Sequence, residues 1–155
     1  MKISKLIFGL IACAFVGNAN AADITIFYAP KCPHCHHARD FISSTLIYEY
    51  DNLKVTEVNI LNSANTQDFV DALFKCGYKT GGVPVMVVGE KCFQGYADST
   101  QPELRAAIEA DLTDEQKSAA AANKTAMEQN KDAFVQSHAD RKNAITEHVA
   151  EKKIK

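Results

Sequence analysis

The sequence predicts one α/β domain in the order β-α-β-α-β-β-α, followed by a helical C-terminal extension. Three observations predict it. Short β-branched or alternating runs recur between stretches whose apolar residues fall at helical spacing; a late apolar run reverses at a Gly-Glu turn into a second short run; and from Thr113 the composition shifts to Ala, Lys, Glu, Gln and Asn. A chain of 155 residues with 46% hydrophobic and 23% charged residues suits a single packed domain with an appendage. Its net charge of -2 lacks the basic excess that binds a phosphate backbone, so no nucleic-acid partner is expected.

The first segment, residues 1-21, has Lys2 and Lys5, then an apolar stretch from Leu6 to Val16, then Ala19-Asn20-Ala21 as a small-residue cleavage pattern. That is the build of a secretory signal peptide, and the apolar run is short of the roughly 20 residues needed to cross a bilayer. Export with cleavage near Ala21 is expected, to the periplasm or an equivalent compartment. Leu10-Ile11-Ala12-Cys13 offers lipid anchoring at Cys13 as the alternative, although the apolar run continues past that point. Cleavage removes Cys13 and leaves four cysteines, Cys32, Cys35, Cys76 and Cys92, an even number that suits disulfide chemistry outside the cytosol.

In the domain expected over residues 22-111, Asp23 to Tyr28 is a β-branched, aromatic strand ended by Ala29-Pro30-Lys31. Cys32-Pro33-His34-Cys35 follows, and Ala38, Phe41, Ile42, Thr45 and Leu46 mark a helix to about Tyr48. Leu53 to Ile60 alternates as a second strand, and Phe69, Val70, Leu73 and Phe74 share one face of a helix over Ser63 to Cys76. Gly77 to Gly82 breaks the chain before the strand Val83 to Val88, which reverses at Gly89-Glu90 into Lys91 to Gln94. Thr100 with Glu103 reads as a capping box for a helix to about Ala110. Residues 112-155 read as a helical extension with Thr113 and Gln116 as a second cap. Its broken stripe of Met127, Phe134, His138, Ile145 and Val149 suits packing on the domain or pairing with a second copy in a homodimer.

The chemistry lies in Cys32-Pro33-His34-Cys35. A Cys-x-x-Cys at a helix start after a strand places the first sulfur near free N–H groups and the positive end of the helix dipole, which stabilise a thiolate. Cys32 is then the exposed nucleophile and Cys35, one turn on, the resolving thiol. An imidazole at His34 supports the thiolate when it donates a hydrogen bond. Stabilising the reduced thiolate makes the disulfide the stronger oxidant.

Cys32-Pro33-His34-Cys35 between a strand and a helix, with Val83-Pro84 opening a later strand, resembles the thioredoxin superfamily. The tetrapeptide resembles that of DsbA-type periplasmic oxidases, while the segment from Gly82 through Gly95-Tyr96-Ala97-Asp98 is similar to the glutaredoxin pattern. The resemblance covers about Asp23 to Ala110. It implies a thioredoxin-like, glutaredoxin-sized fold, a cis Val83-Pro84 bond facing Cys32, and a Val83 backbone that pairs with extended substrate. It further implies an exported protein disulfide oxidoreductase acting on substrate proteins with thiols or disulfides. A membrane redox partner, DsbB-like or reductive, would serve it; no cofactor beyond the redox-active disulfide is needed, and glutathione is a candidate thiol partner.

Other readings of the same residues stay open. Cys32 to His36 also satisfies Cys-x-x-Cys-His, the attachment sequence for c-type haem with His36 as axial ligand, although strands on both sides belong to a sheet rather than a haem crevice. His34, His36 and His37 are metal-ligating in type, but 36 and 37 fall on different helix faces, so no metal site is assigned. Cys76 and Cys92 bracket the Gly-rich turn and the Val83-Pro84 strand. A disulfide between them would pin that loop to the sheet; the alternative is two buried free thiols.

Overall fold

The computed structural model describes residues 23–150. The expected leader, Cys13 and the last residues, 151–155, lie outside the described residues. Strand β1 (Asp23–Tyr28) pairs in parallel with β2 (Lys54–Asn59), and antiparallel with β3 (Val85–Val88), which pairs antiparallel with β4 (Lys91–Gln94). Alternation along each strand supplies two faces. Ile24 and Ile26 of β1, Val55 of β2 and Met86 and Val88 of β3 join the larger core; Phe27, Val58 and Val85 join a smaller one on the opposite face.

The larger face is covered by α1 (Pro33–Phe41), a π-helical turn (Ile42–Leu46), α2 (Ile47–Glu49) and α4 (Gln101–Glu109). The smaller face is covered by α3 (Thr66–Cys76) through Phe69, Ala72 and Leu73. Gly77, at φ +69°, ends α3 in the left-handed conformation that glycine adopts without a Cβ clash. Gly89, at φ +56°, opens the two-residue turn of the β3–β4 hairpin, and a Cβ there would stand 2.9 Å from a carboxylate oxygen of Asp111. This is the β-α-β-α-β-β-α order expected for Asp23 to Ala110.

The C-terminal segment departs from a purely helical extension. Helix α5 (Asp114–Ser137) starts at the Thr113–Gln116 capping box, with Gln116 N–H donating to Thr113 Oγ1 at 3.2 Å and Thr113 N–H to Gln116 Oε1 at 2.8 Å. It kinks at Asn130, whose side-chain oxygen accepts the Ala133 N–H at 3.1 Å and so caps the second half. After a 3₁₀ turn (Ala139–Ala144) the chain forms β5 (Ile145–His148), parallel to β2, and the sheet order becomes β4-β3-β1-β2-β5. Open N–H and C=O groups on the β2 edge outweigh helix propensity there, and Ile145-Thr146 is β-branched enough to answer them.

The apolar stripe of this segment is spent largely within the chain. Met127 is buried, Phe134 and Ile145 pack on the larger core, and the His138 ring stacks on Phe134 at 4.1 Å; Val149 alone of the five is exposed. Arg141 fastens the segment by donating to the carbonyls of Ile47 (2.9 Å), Tyr50 (2.8 Å) and Leu53 (3.2 Å). With α5 on one side and the sheet on the other, Leu46 to Tyr50 are five consecutive buried residues.

The expected Thr100–Glu103 capping box does not form. Thr100 closes a 3₁₀ turn (Asp98–Thr100) in helical conformation, and its hydroxyl accepts the Ala97 N–H at 3.3 Å instead. Among the described residues no helix is long and apolar enough to cross a membrane.

Candidate active site

Strand β1 delivers the chain to the end of the sheet, and Ala29-Pro30-Lys31 turns it into α1, with the Cys32 N–H donating to the Ala29 carbonyl at 3.1 Å. Cys32 is the N-cap, with extended φ/ψ of −86° and 116°, and Pro33 takes the first helical position, where its missing N–H costs nothing. The sulfur does what a capping oxygen does elsewhere: Cys32 Sγ accepts the Cys35 N–H at 3.2 Å. Cys32 is partly exposed and Cys35 is 1% exposed, and both are free thiols. Burial first, then its hydrogen bond with the Cys32 sulfur, push the Cys35 thiol up to about 12.

The Val83–Pro84 peptide bond is cis. Val83 lies across from the helix start, and the Cys32 thiol donates to its carbonyl at 3.6 Å. One sulfur thus meets a helix N-terminus on one side and the Val83 backbone on the other.

No family model matches the chain, and no curated protein does. A solved structure does. The chain is similar to the glutaredoxin grx-1 of Archaeoglobus fulgidus, at 20% identity over 56% of this chain and 88% of that one, with a TM-score of 0.43.

His34 and His37 are exposed; His36 is exposed too, its Nε2–H donating to the Pro30 carbonyl at 2.7 Å along the active-site turn. No group of three or more His, Cys, Asp or Glu side chains among the described residues is arranged to hold a metal ion. Cys76 and Cys92 are joined by a disulfide with a Cα–Cα distance of 5.8 Å, tying the end of α3 to β4 and bracketing the segment that carries Val83.

Sequence reasoning missed a charged cluster beside Cys35. Arg39, four residues further along α1, makes a two-pronged ion pair with Glu57 of β2, Nε to Oε1 at 2.9 Å and Nη2 to Oε2 at 2.6 Å. The guanidinium also lies 4.1 Å from the centroid of the Tyr28 ring, and the Tyr28 hydroxyl donates to Glu147 of β5 at 3.3 Å. Hydrogen bonding to Glu57 holds Arg39 firmly charged, while burial, and then Glu147, raise the Tyr28 hydroxyl. A signal existed: Glu57 shares the inward parity of Val55, and a carboxylate on the buried side of a strand implies a partner.

Proposed function

We propose that the protein is an exported thiol–disulfide oxidoreductase that oxidises dithiols in substrate proteins through Cys32 and Cys35. The observation that carries this reading is the Cys32 sulfur: partly exposed, capping α1, accepting the Cys35 N–H and facing the Val83 carbonyl, with the second thiol buried one turn on. The leader-like pattern ending at Ala21 supports the exported part of this reading.

In the disulfide form a substrate thiolate attacks Cys32 Sγ. A bond forms between the two sulfurs, the Cys32–Cys35 bond breaks, and its electron pair leaves on Cys35. A thiol whose pKa stands near 12 takes a proton at once at neutral pH, which keeps Cys35 from reversing the step. A second substrate thiolate then attacks the substrate sulfur of the mixed disulfide and expels Cys32. The Cys35 N–H and the α1 terminus stabilise the charge that appears on that sulfur. Two electrons move from the substrate dithiol to the enzyme, and a membrane partner that accepts them restores the disulfide.

The same residues run the opposite way if a reductive partner supplies electrons, with Cys32 attacking a substrate disulfide. Equilibration in glutathione buffers, with thiol alkylation and peptide mass mapping, separates the two. A Cys32–Cys35 midpoint well above the glutathione couple supports the oxidase; one near thioredoxin's, about −270 mV, supports the reductase. A pair that stays oxidised under all but harsh reduction removes both.

A further inference from the structure

Residues 79–83 carry Val83 to Cys32, yet they make no backbone–backbone hydrogen bond among the described residues. The flanking bonds are Tyr78 N–H to the Leu73 carbonyl at 2.9 Å and Gly95 N–H to the Pro84 carbonyl at 2.8 Å. Two consecutive glycines, Gly81 and Gly82, lie in this span. Glycine leaves the backbone its widest freedom, so an unbonded segment with two of them needs an outside anchor to hold a carbonyl in one place.

One side chain supplies that anchor. Gln94, the last residue of β4, donates from its amide nitrogen to the Thr80 carbonyl at 2.7 Å and to the Gly82 carbonyl at 3.1 Å. Both amide hydrogens are committed to the segment. A Cβ on Gly82 would stand 3.5 Å from the same nitrogen, so the amide packs within van der Waals reach of the loop. Two residues earlier on β4, Cys92 holds the other end of the loop through Cys76.

We propose that Gln94 is a positioning residue for substrate engagement: it holds the 80–82 backbone so that Val83 meets an extended thiol substrate in register with the Cys32 sulfur. This rests on the thiol–disulfide reading. The chemical requirement is specific, because two carbonyls need two donors on one short reach. Glutamate keeps the length and loses the donors; asparagine keeps the donors and falls one methylene short. Loss of the anchor penalises substrates that lie along the Val83 backbone and spares those too small to reach it. The step affected is formation of the bond between the substrate sulfur and Cys32, with the electron pair of the broken Cys32–Cys35 bond leaving on Cys35, which takes its proton from solvent.

The test uses the oxidised protein with two probes, a short extended peptide bearing one cysteine and cysteamine, and follows mixed-disulfide formation by stopped flow and mass. Gln94→Ala and the isosteric Gln94→Glu should each slow the peptide reaction roughly five- to tenfold, the scale of one lost hydrogen-bonded anchor, and the cysteamine reaction less than about twofold. Equal loss on both probes in Gln94→Glu, or no loss on the peptide, overturns the proposal; the isosteric variant guards against misfolding of the truncated one. A wild-type protein inert to both probes overturns the oxidoreductase reading itself, and is told apart because no variant is needed to see it.

Discussion

The Cys35 backbone N–H donates to the Cys32 sulfur at 3.2 Å, while the Cys35 side chain is buried beneath it. One residue therefore supports its partner's sulfur and hides its own. This division of labour predicts different products from the two serine variants. Cys35→Ser should trap a covalent mixed disulfide on Cys32, visible as a mass increase under non-reducing conditions. Cys32→Ser should form none and lose thiol–disulfide exchange by about three orders of magnitude or more. Mixed disulfides accumulating on Cys35 instead would reverse the assigned roles.

The raised Cys35 thiol predicts a pH dependence in the dithiol form. Its ordinary value is 9.0 and its folded value about 12. Between these the folded state keeps a proton that the unfolded chain gives up, so stability is full below about pH 9 and declines as pH rises towards 12. Urea midpoints across that range should fall for the reduced protein, and the fall should be smaller in Cys35→Ala. Native iodoacetamide at pH 8 should modify Cys32 and leave Cys35 for denaturing conditions.

Arg39 and Glu57 form a pair whose Glu57 side chain is 10% exposed. Removing the arginine alone strands a carboxylate beside Glu147. Arg39→Met should therefore destabilise by about 3 kcal/mol, and the double variant Arg39→Met with Glu57→Leu should recover much of the loss. Chemical denaturation of the single and double variants checks this; a double variant no better than the single one would mean the pair is not the source of the cost.

Arg141 predicts a dependence of the domain on its tail. Its guanidinium serves three carbonyls around the end of α2, and Arg141→Leu leaves them facing an apolar neighbour. The expected loss is about 2 to 3 kcal/mol, read as a lower urea midpoint. Hydrogen exchange should show β5 and the second half of α5 opening first.

The Cys76–Cys92 bridge spans 16 residues of sequence. In the chain-entropy picture its loss, in Cys76→Ser with Cys92→Ser, costs about 3 kcal/mol. The thermal midpoint of the double variant should drop, and the Cys32–Cys35 midpoint should stay where it was.

Much of the fold was legible along the chain because local pattern and tertiary role agree. Asp23 to Tyr28 and Leu53 to Ile60 alternate or cluster as strands must, Phe69 and Leu73 repeat as a helix face, and Gly77 and Gly89 stand where φ is positive. Cys32 and Cys35 declared themselves by spacing, because a helix N-terminus is a local object. Thr100 shows the limit: its hydroxyl had two local partners within reach, and a 3₁₀ turn that sequence does not announce decided between them.

Along the chain itself lay the element order from Asp23 to Ala110 and the two cysteines at a helix start, which depend on neighbours a few residues apart. Only the tertiary structure decided that Ile145 to His148 joins the sheet, that Arg39 meets Glu57, and that Gln94 holds the strand of chain in front of Cys32. Each of these pairs groups twelve or more residues apart whose partners exist only once the sheet has closed. The free edge of β2, a buried carboxylate and two unpaired carbonyls are demands created by folding, and their answers lie elsewhere in the chain.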